Sequence, residues 1–249
     1  MKKLLSLTLA VLFSASLAFS QGITIGVRGG LTLTSGNTTI PAQPADGRPE
    51  IKNEGDGQGA GFTAGAYARF KLAGFFLQGE INYSQFLLKQ KTNTAFSAPV
   101  LPGVNASLVL DNKSETTLTA INIPILFGKS FAGGLVRAYL GPSFLFTSSA
   151  EQVSNGSLTT SLAGTVIDRT EINDAKTDLR NADDAGILEV KPLIIAIEVG
   201  AGVSLPFGLD VDLRYGVPAI TGVYKDGDVG GFLGILSLSV GYRIAKLGL

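Results

Sequence analysis

Hydrophobic and polar positions alternate along most of this chain, which is the two-residue period of β-strands with one face apolar and one polar. At the C-terminal end Leu236, Leu238, Val240, Tyr242 and Ile244 share one face, and Ser237, Ser239, Gly241 and Arg243 the other. The segment before it sets Leu209, Val211, Leu213, Tyr215 and Val217 against Asp210, Asp212, Arg214 and Gly216. Another places Leu193, Ile195, Ile197, Val199, Ala201, Val203 and Leu205 opposite Ala196, Glu198, Gly200, Gly202 and Ser204, with Ile194 out of phase.

Five earlier segments read alike. Ile23, Ile25, Val27, Leu31 and Leu33 oppose Thr24, Arg28, Thr32 and Thr34, and Phe62, Ala64, Ala66, Ala68 and Phe70 oppose Thr63, Tyr67, Arg69 and Lys71. Phe75, Leu77, Ile81 and Tyr83 face away from Gln78, Glu80, Asn82 and Ser84. Ile121, Ile123, Ile125 and Phe127 oppose Asn122, Pro124 and Gly128, and Val136, Ala138, Leu140, Phe144 and Phe146 oppose Arg137, Tyr139, Gly141 and Ser143. Eight strands are predicted.

The connectors alternate in length. Ala73-Gly74, Ser130 to Gly134 and Pro206-Phe207-Gly208 are tight turns, whereas residues 35 to 58, 90 to 113, 151 to 189 and 222 to 230 are polar and mostly long loops. These features predict an all-β fold: an eight-stranded antiparallel up-and-down transmembrane β-barrel with short periplasmic turns and long extracellular loops.

Aromatic residues strengthen the membrane reading, because they fall in two belts. Phe70, Phe75, Phe127, Phe131, Phe207 and Tyr242 lie toward the short-turn ends, and Phe62, Tyr83, Phe144, Phe146, Tyr215 and Phe232 toward the long-loop ends. A soluble lipocalin-like barrel with an apolar cavity is the competing fold. The polar face weighs against it, being rich in Gly, Ser and Thr, whereas a wet exterior would be studded with Lys and Glu. Its charges are Arg28, Arg69, Lys71, Glu80, Arg137, Glu198, Asp210, Asp212, Arg214 and Arg243. They are expected to form a paired cluster inside the barrel, because an unpaired buried charge is costly.

Composition agrees. Hydrophobic residues make up 45% and charged residues 16% of the chain, against about 25% charged in ordinary soluble domains. After the N-terminus there is no apolar run long enough for a helical span. The N-terminus itself carries Lys2 and Lys3, an apolar stretch from Leu4 to Leu17 and the small residues Ala18 and Ser20 around Phe19. This predicts a signal peptide over residues 1–20, cleaved before Gln21, and a barrel domain over 21–249. A single anchoring helix is the alternative, but the run is short for it. The mature chain is close to neutral and slightly acidic, which argues against nucleic acid as a partner.

Candidate chemistry is sparse. With no histidine and no cysteine, the usual nucleophile–base pairs and imidazole or thiolate metal sites cannot be built. Asp210 and Asp212 are paired carboxylates on one strand face, but Arg214 and Arg243 are expected to pair with them, so an ion-pair network is the favoured reading over catalysis. Gly57-Gln58-Gly59-Ala60-Gly61 does not meet the dinucleotide pattern and reads as a flexible entry to the second strand. Loop 151–189 is acidic, and Ile172, Ala175, Leu179 and Ala182 fall at helical spacing before Gly186, which predicts a short amphipathic helix. Calcium binding by that loop or by Asp226-Gly227-Asp228 lacks EF-hand spacing. No enzyme activity, cofactor or metal site is expected.

Several segments resemble the PorT-like outer-membrane β-barrel family. They are Gly26-Val27-Arg28-Gly29-Gly30-Leu31, Ile121-Asn122-Ile123-Pro124-Ile125-Leu126, Tyr139-Leu140-Gly141-Pro142, Leu213-Arg214-Tyr215-Gly216 and Val240-Gly241-Tyr242-Arg243. The resemblance implies an outer-membrane barrel, and in some members an association with protein secretion across that membrane. The expected partners are therefore outer-membrane lipid and an envelope or secretion-system protein. A narrow solute channel and a protein that binds an external surface through its loops stay open as alternatives.

Overall fold

In the computed structural model the described residues are 22–42, 49–72, 74–101, 104–218 and 222–247. Segment 1–20, expected to be a signal peptide, Gln21 and Ala73 of the expected first turn lie outside them. Ten strands run in chain order: β1 (Ile23–Ile40), β2 (Ile51–Gly55), β3 (Gly59–Leu72), β4 (Phe75–Leu101), β5 (Val104–Phe131), β6 (Val136–Leu162), β7 (Thr165–Asp178), β8 (Leu193–Ser204), β9 (Leu209–Val217) and β10 (Gly230–Leu247).

Eight of them close a ring. β1 pairs with β3, then β4, β5, β6, β8, β9 and β10 follow in order, and β10 returns to β1 with Leu238 opposite Leu31. Every pairing is antiparallel, so the up-and-down topology read from the sequence holds. Closure removes the sheet edges within this ring, so its backbone groups pair strand to strand, with a local break beside Pro124 where the registers with β4 and β6 are interrupted.

The outer face is the apolar one. Leu31, Leu213 and Leu238 are neighbours across three strands and expose 67%, 51% and 54% of their surface. Ile81, Leu140, Val199 and Val240 extend the belt. Soluble monomers rarely expose a contiguous apolar patch beyond a few hundred Å²; a belt that encircles the barrel is matched to hydrocarbon. Both aromatic girdles sit on it. Phe75 stacks on Phe127 at 5.6 Å between ring centroids, and Phe62 packs against Tyr83 at 6.0 Å. Phe144 is the most covered of the twelve residues assigned to the girdles. Among the described residues no helix is long and apolar enough to span a membrane; the crossing is made by strands. A Leu213→Arg substitution on this belt is expected to lower stability by about 2–4 kcal/mol, the cost of an arginine at mid-bilayer depth. Urea unfolding of the refolded protein, followed by the heat-dependent gel shift, measures it.

The long connectors differ from the sequence reading. Residues 90–101 and 104–113 form the far halves of β4 and β5, paired up to Leu101 and Val104. Within 151–189, β6 continues to Leu162 and β7 returns along it. Ile172 and Ala175, expected on a helix, lie in β7, and the helix α1 is limited to Ala182–Ala185, with Asn181 capping its start and Gly186 ending it. The physical reason is that these strands rise clear of the membrane. With no hydrocarbon on the outer face and polar residues such as Gln90, Thr92 and Ser114 on the covered one, the alternation of apolar and polar residues disappears, but the backbone ladder does not. Segment 35–58 is also partly strand: β1 reaches Ile40 and β2 pairs with both β1 and β4. Of the Gly57–Gly61 segment, Gly59–Gly61 already belong to β3, and the kink after β2 lies before them, where Asp56 N–H donates to Lys89 O at 2.9 Å and Gly57 takes φ +87°. Only glycine accepts that backbone cheaply.

Candidate functional site

The polar faces of all eight ring strands converge on the lumen, and side chains fill it. Nine of the ten charged residues picked from the sequence are brought together there. Lys71 is exposed at the short-turn mouth, and Arg243 and Glu198 are partly buried; Arg28, Arg69, Glu80, Arg137, Asp210, Asp212 and Arg214 are buried.

Two carboxylate centres organise this cluster. Asp210 and Asp212 alternate with outward residues on β9, so both point inward. Arg137 of β6 bridges them, with Nη1 2.8 Å from Asp210 Oδ1 and Nη2 2.9 Å from Asp212 Oδ1. Arg69 Nη1 lies 3.1 Å from Asp210 Oδ2, and Tyr67 donates its hydroxyl to the same oxygen at 3.0 Å. Tyr139 donates to Asp212 Oδ1 at 2.9 Å, and Arg28 Nη2 stands 3.6 Å from Asp212 Oδ2.

Glu80 of β4 is the second centre. Arg28 Nη1 is 2.6 Å from its Oε1, and Arg214 grips both oxygens, Nη2 at 2.5 Å and Nη1 at 2.9 Å. Gln78 and Asn82 donate amide protons to the same carboxylate. Arg214 also reaches Glu198 at 3.6 Å, and its guanidinium lies over the Tyr139 ring at 5.2 Å. Five arginines, with Arg243 at the edge of the cluster, therefore face four carboxylates, and such pairing is how charge is tolerated at membrane depth.

The sequence places these residues on one face but does not pair them correctly. It assigns Arg214 to Asp210 and Asp212, whereas the folded chain sets Arg214 on Glu80 and Glu198, and Arg137, Arg69 and Arg28 serve the aspartates. Arg243 does approach Asp210, at 3.7 Å. Partners lie on other strands because shared strand face says nothing about height across the barrel. Glycine provides the room: a Cβ on Gly200 would stand 2.5 Å from the Tyr139 ring, and one on Gly26 would stand 2.6 Å from Tyr67.

Above the charges, toward the long loops, the lumen turns apolar. Phe86, Leu118, Leu145, Ile194 and Ile235 point inward and meet Leu179, Ala185 and Val190 from the segment after β7. That segment is fixed by Leu179 N–H donating to Ala150 O at 2.8 Å and Val190 N–H to Leu179 O at 2.7 Å. Sequence reading missed this cap, although the out-of-phase Ile194 was its visible trace. A second device is a β-bulge at Ser148, which lets Thr147 and Ala150 both face inward; its hydroxyl donates to Thr119 O at 3.0 Å. Tyr224, in the loop outside the membrane, adds to the cap and donates or accepts a hydrogen bond with Thr38; burial pushes its hydroxyl pKa up.

Between charge cluster and cap a cavity of about 40 Å³ remains, lined by residues such as Arg28, Asn82, Asn122 and Glu198. This is room for a few waters, at roughly 10–15 Å³ each, and for no solute. Asp210 and Asp212 are each paired with guanidinium and phenol donors, and neither lines this cavity. In the outer loop Asp226 accepts the Asp228 N–H at 2.9 Å; among the described residues no group of three His, Cys, Asp or Glu side chains gathers.

Comparison with known structures gives distant likenesses. Ail, the attachment invasion locus protein of Yersinia pestis, is 13% identical with a TM-score of 0.35, covering 90% of this chain and 99% of that one. Neisserial surface protein A is 13% identical with a TM-score of 0.29, covering 91% and 98%. The outer membrane protease OmpT of Escherichia coli is 10% identical with a TM-score of 0.24, covering 90% and 96%. No curated protein matches the chain in sequence. The family model for the outer membrane protein beta-barrel domain matches residues 19–221, and with its closed eight-stranded ring, lipid-facing belt and filled polar lumen this chain belongs to that family of bacterial outer-membrane proteins.

Proposed function

We propose that this protein is a non-enzymatic envelope component, a sealed barrel that anchors a protruding β-sheet on which a secretion-system or other envelope protein docks. The observation that carries the reading is the free edge of β7. From Gln85 onward β4 leaves the aromatic girdle and continues to Leu101, about 55 Å along the strand at 3.3 Å per residue. β5, β6 and β7 accompany it as one antiparallel sheet. Among the described residues β7 pairs on one side only, and nearly all of its residues are exposed, including Val166 and Ile167. An extended segment of a partner can add to such an edge as a further strand, with backbone hydrogen bonds giving affinity and flanking pockets specificity.

Charge on Asp168, Arg169, Glu171, Asp174 and Lys176 keeps that edge from pairing indiscriminately. The resemblance to PorT-like proteins points to the same class of partner. The filled lumen counts against the narrow channel, since eight-stranded barrels of this kind have interiors occupied by side chains.

Two measurements test the reading. Planar-bilayer recordings are expected to show no steps above the lipid baseline. Deleting residues 154–176 is expected to leave the heat-dependent gel shift intact, because the cap residues Ala150 and Leu179 remain, while abolishing crosslinking to the envelope partner captured by the full chain. Stepwise conductance, or crosslinking unchanged by the deletion, would overturn it.

A further inference from the structure

The short-turn end of the barrel is open where the other end is capped. It holds a vestibule of about 600 Å³ walled by the Ala132–Gly134 and Pro206–Gly208 turns. Its lining carries five basic side chains, Arg69, Lys71, Arg137, Arg243 and Lys246, and no carboxylate. The nearest acid, Asp210, lies beneath the floor, is fully buried, and already faces Arg69, Arg137 and Arg243. Across lumen and vestibule five arginines, Arg28, Arg69, Arg137, Arg214 and Arg243, share the carboxylates Glu80, Glu198, Asp210 and Asp212, which leaves one positive charge before the lysines are counted.

Neither Lys71 nor Lys246 makes an ion pair among the described residues, and both are exposed at the mouth. Nε–H of Arg137, on a side chain only 1% exposed, finds no hydrogen-bond acceptor, and Nε of Arg243 has only the Asp210 carboxylate at 3.7 Å. Like charges gathered in a concave, low-dielectric wall focus the field on whatever enters. Structural pairing explains Arg69 and Arg137 but neither lysine, which no carboxylate among the described residues pairs.

We propose that this periplasmic vestibule is an oxyanion-binding site that takes a phosphate group, with Lys71 and Lys246 as mobile ammonium contacts and Arg243 at the wall. The phosphate is either a free periplasmic anion or the headgroup of an inner-leaflet phospholipid reaching over the rim, where Phe207 is 93% exposed at φ +62°. The site lies at the end opposite β7 and does not rest on the docking proposal.

The test uses the full mature protein in a zwitterionic, phosphate-free detergent at constant ionic strength. Titration calorimetry with inorganic phosphate is expected to show saturable binding that chloride does not reproduce, weakened at least tenfold in the Lys71→Gln/Lys246→Gln double variant. The heat-shift midpoint of that variant without phosphate should be unchanged, since both lysines are exposed. If phosphatidylglycerol in mixed micelles binds and inorganic phosphate does not, with the same loss in the variant, the occupant is the lipid headgroup. Absence of saturable binding by both probes, or equal binding by the variant, would overturn the proposal.

Discussion

Replacing Arg137 with alanine is expected to lower the barrel's stability by about 3–5 kcal/mol, the range for removing one partner of a buried ion pair. The loss is large because Arg137 serves two carboxylates at once, 2.8 Å from Asp210 and 2.9 Å from Asp212. Arg69 and Arg28 remain, but at 3.1 and 3.6 Å they cannot replace a bridging guanidinium at membrane depth. Urea titration of the refolded protein in detergent, scored as the fraction keeping the compact gel mobility, gives the midpoint. The cause is tested by a triple variant, Arg137→Met with Asp210→Asn and Asp212→Asn. Removing all three charges together should recover most of the loss, because the penalty comes from charge left unpaired more than from attraction surrendered. A triple variant no more stable than Arg137→Ala would mean that Arg137 acts through its packing.

Glu80→Ala is expected to cost a similar 3–5 kcal/mol, for the opposite imbalance. It removes the carboxylate that holds Arg28 at 2.6 Å and Arg214 at 2.5 Å, and leaves Gln78 and Asn82 donating to nothing. Glu198 is too far from Arg214, at 3.6 Å, to take over. Two arginines left with only longer pairs, Arg28 to Asp212 and Arg214 to Glu198 at 3.6 Å each, should draw water into the lumen. The variant is therefore the one in which ion leakage through planar bilayers is most expected, although the apolar cap above it is untouched. Glu80→Gln keeps the shape and the acceptor oxygen, and is expected to lose less. Equal losses for Ala and Gln would show that charge alone matters; a Gln variant as stable as the parent would show that Arg28 and Arg214 do not depend on the Glu80 charge.

Both predictions depend on contacts that could be read only partly from the chain. Arg137 and Tyr139 stand two apart on a strand, so their common face was legible, as was the inward direction of Asp210 and Asp212. The register was not: Arg137 lies opposite Gly202 on β8, and Gly202 opposite Asp212 on β9. The guanidinium thus meets carboxylates two strands away, across a glycine that leaves the path clear. A shift of one residue would turn every one of these side chains to the lipid.

The sequence by itself determined which face of each crossing strand meets lipid, how many strands close the ring, where the girdles fall and which end carries the short turns. All of these follow from a two-residue period and from the contrast between hydrocarbon outside and a crowded polar interior. Where that contrast ends, so does the signal. The far halves of β4 to β7 lie outside hydrocarbon, where even covered positions such as Gln90, Thr92 and Ser114 are polar, and carry no apolar–polar alternation, so only the backbone ladder of the folded sheet decided that they are strands. The lumen's seal was likewise decided in three dimensions, because Leu179 and Val190 come from a segment more than thirty residues after the strand residue Leu145 that they cover. Pairing among like-facing charges, and the capping of the barrel by its own chain, depend on distances between strands, which no local period records.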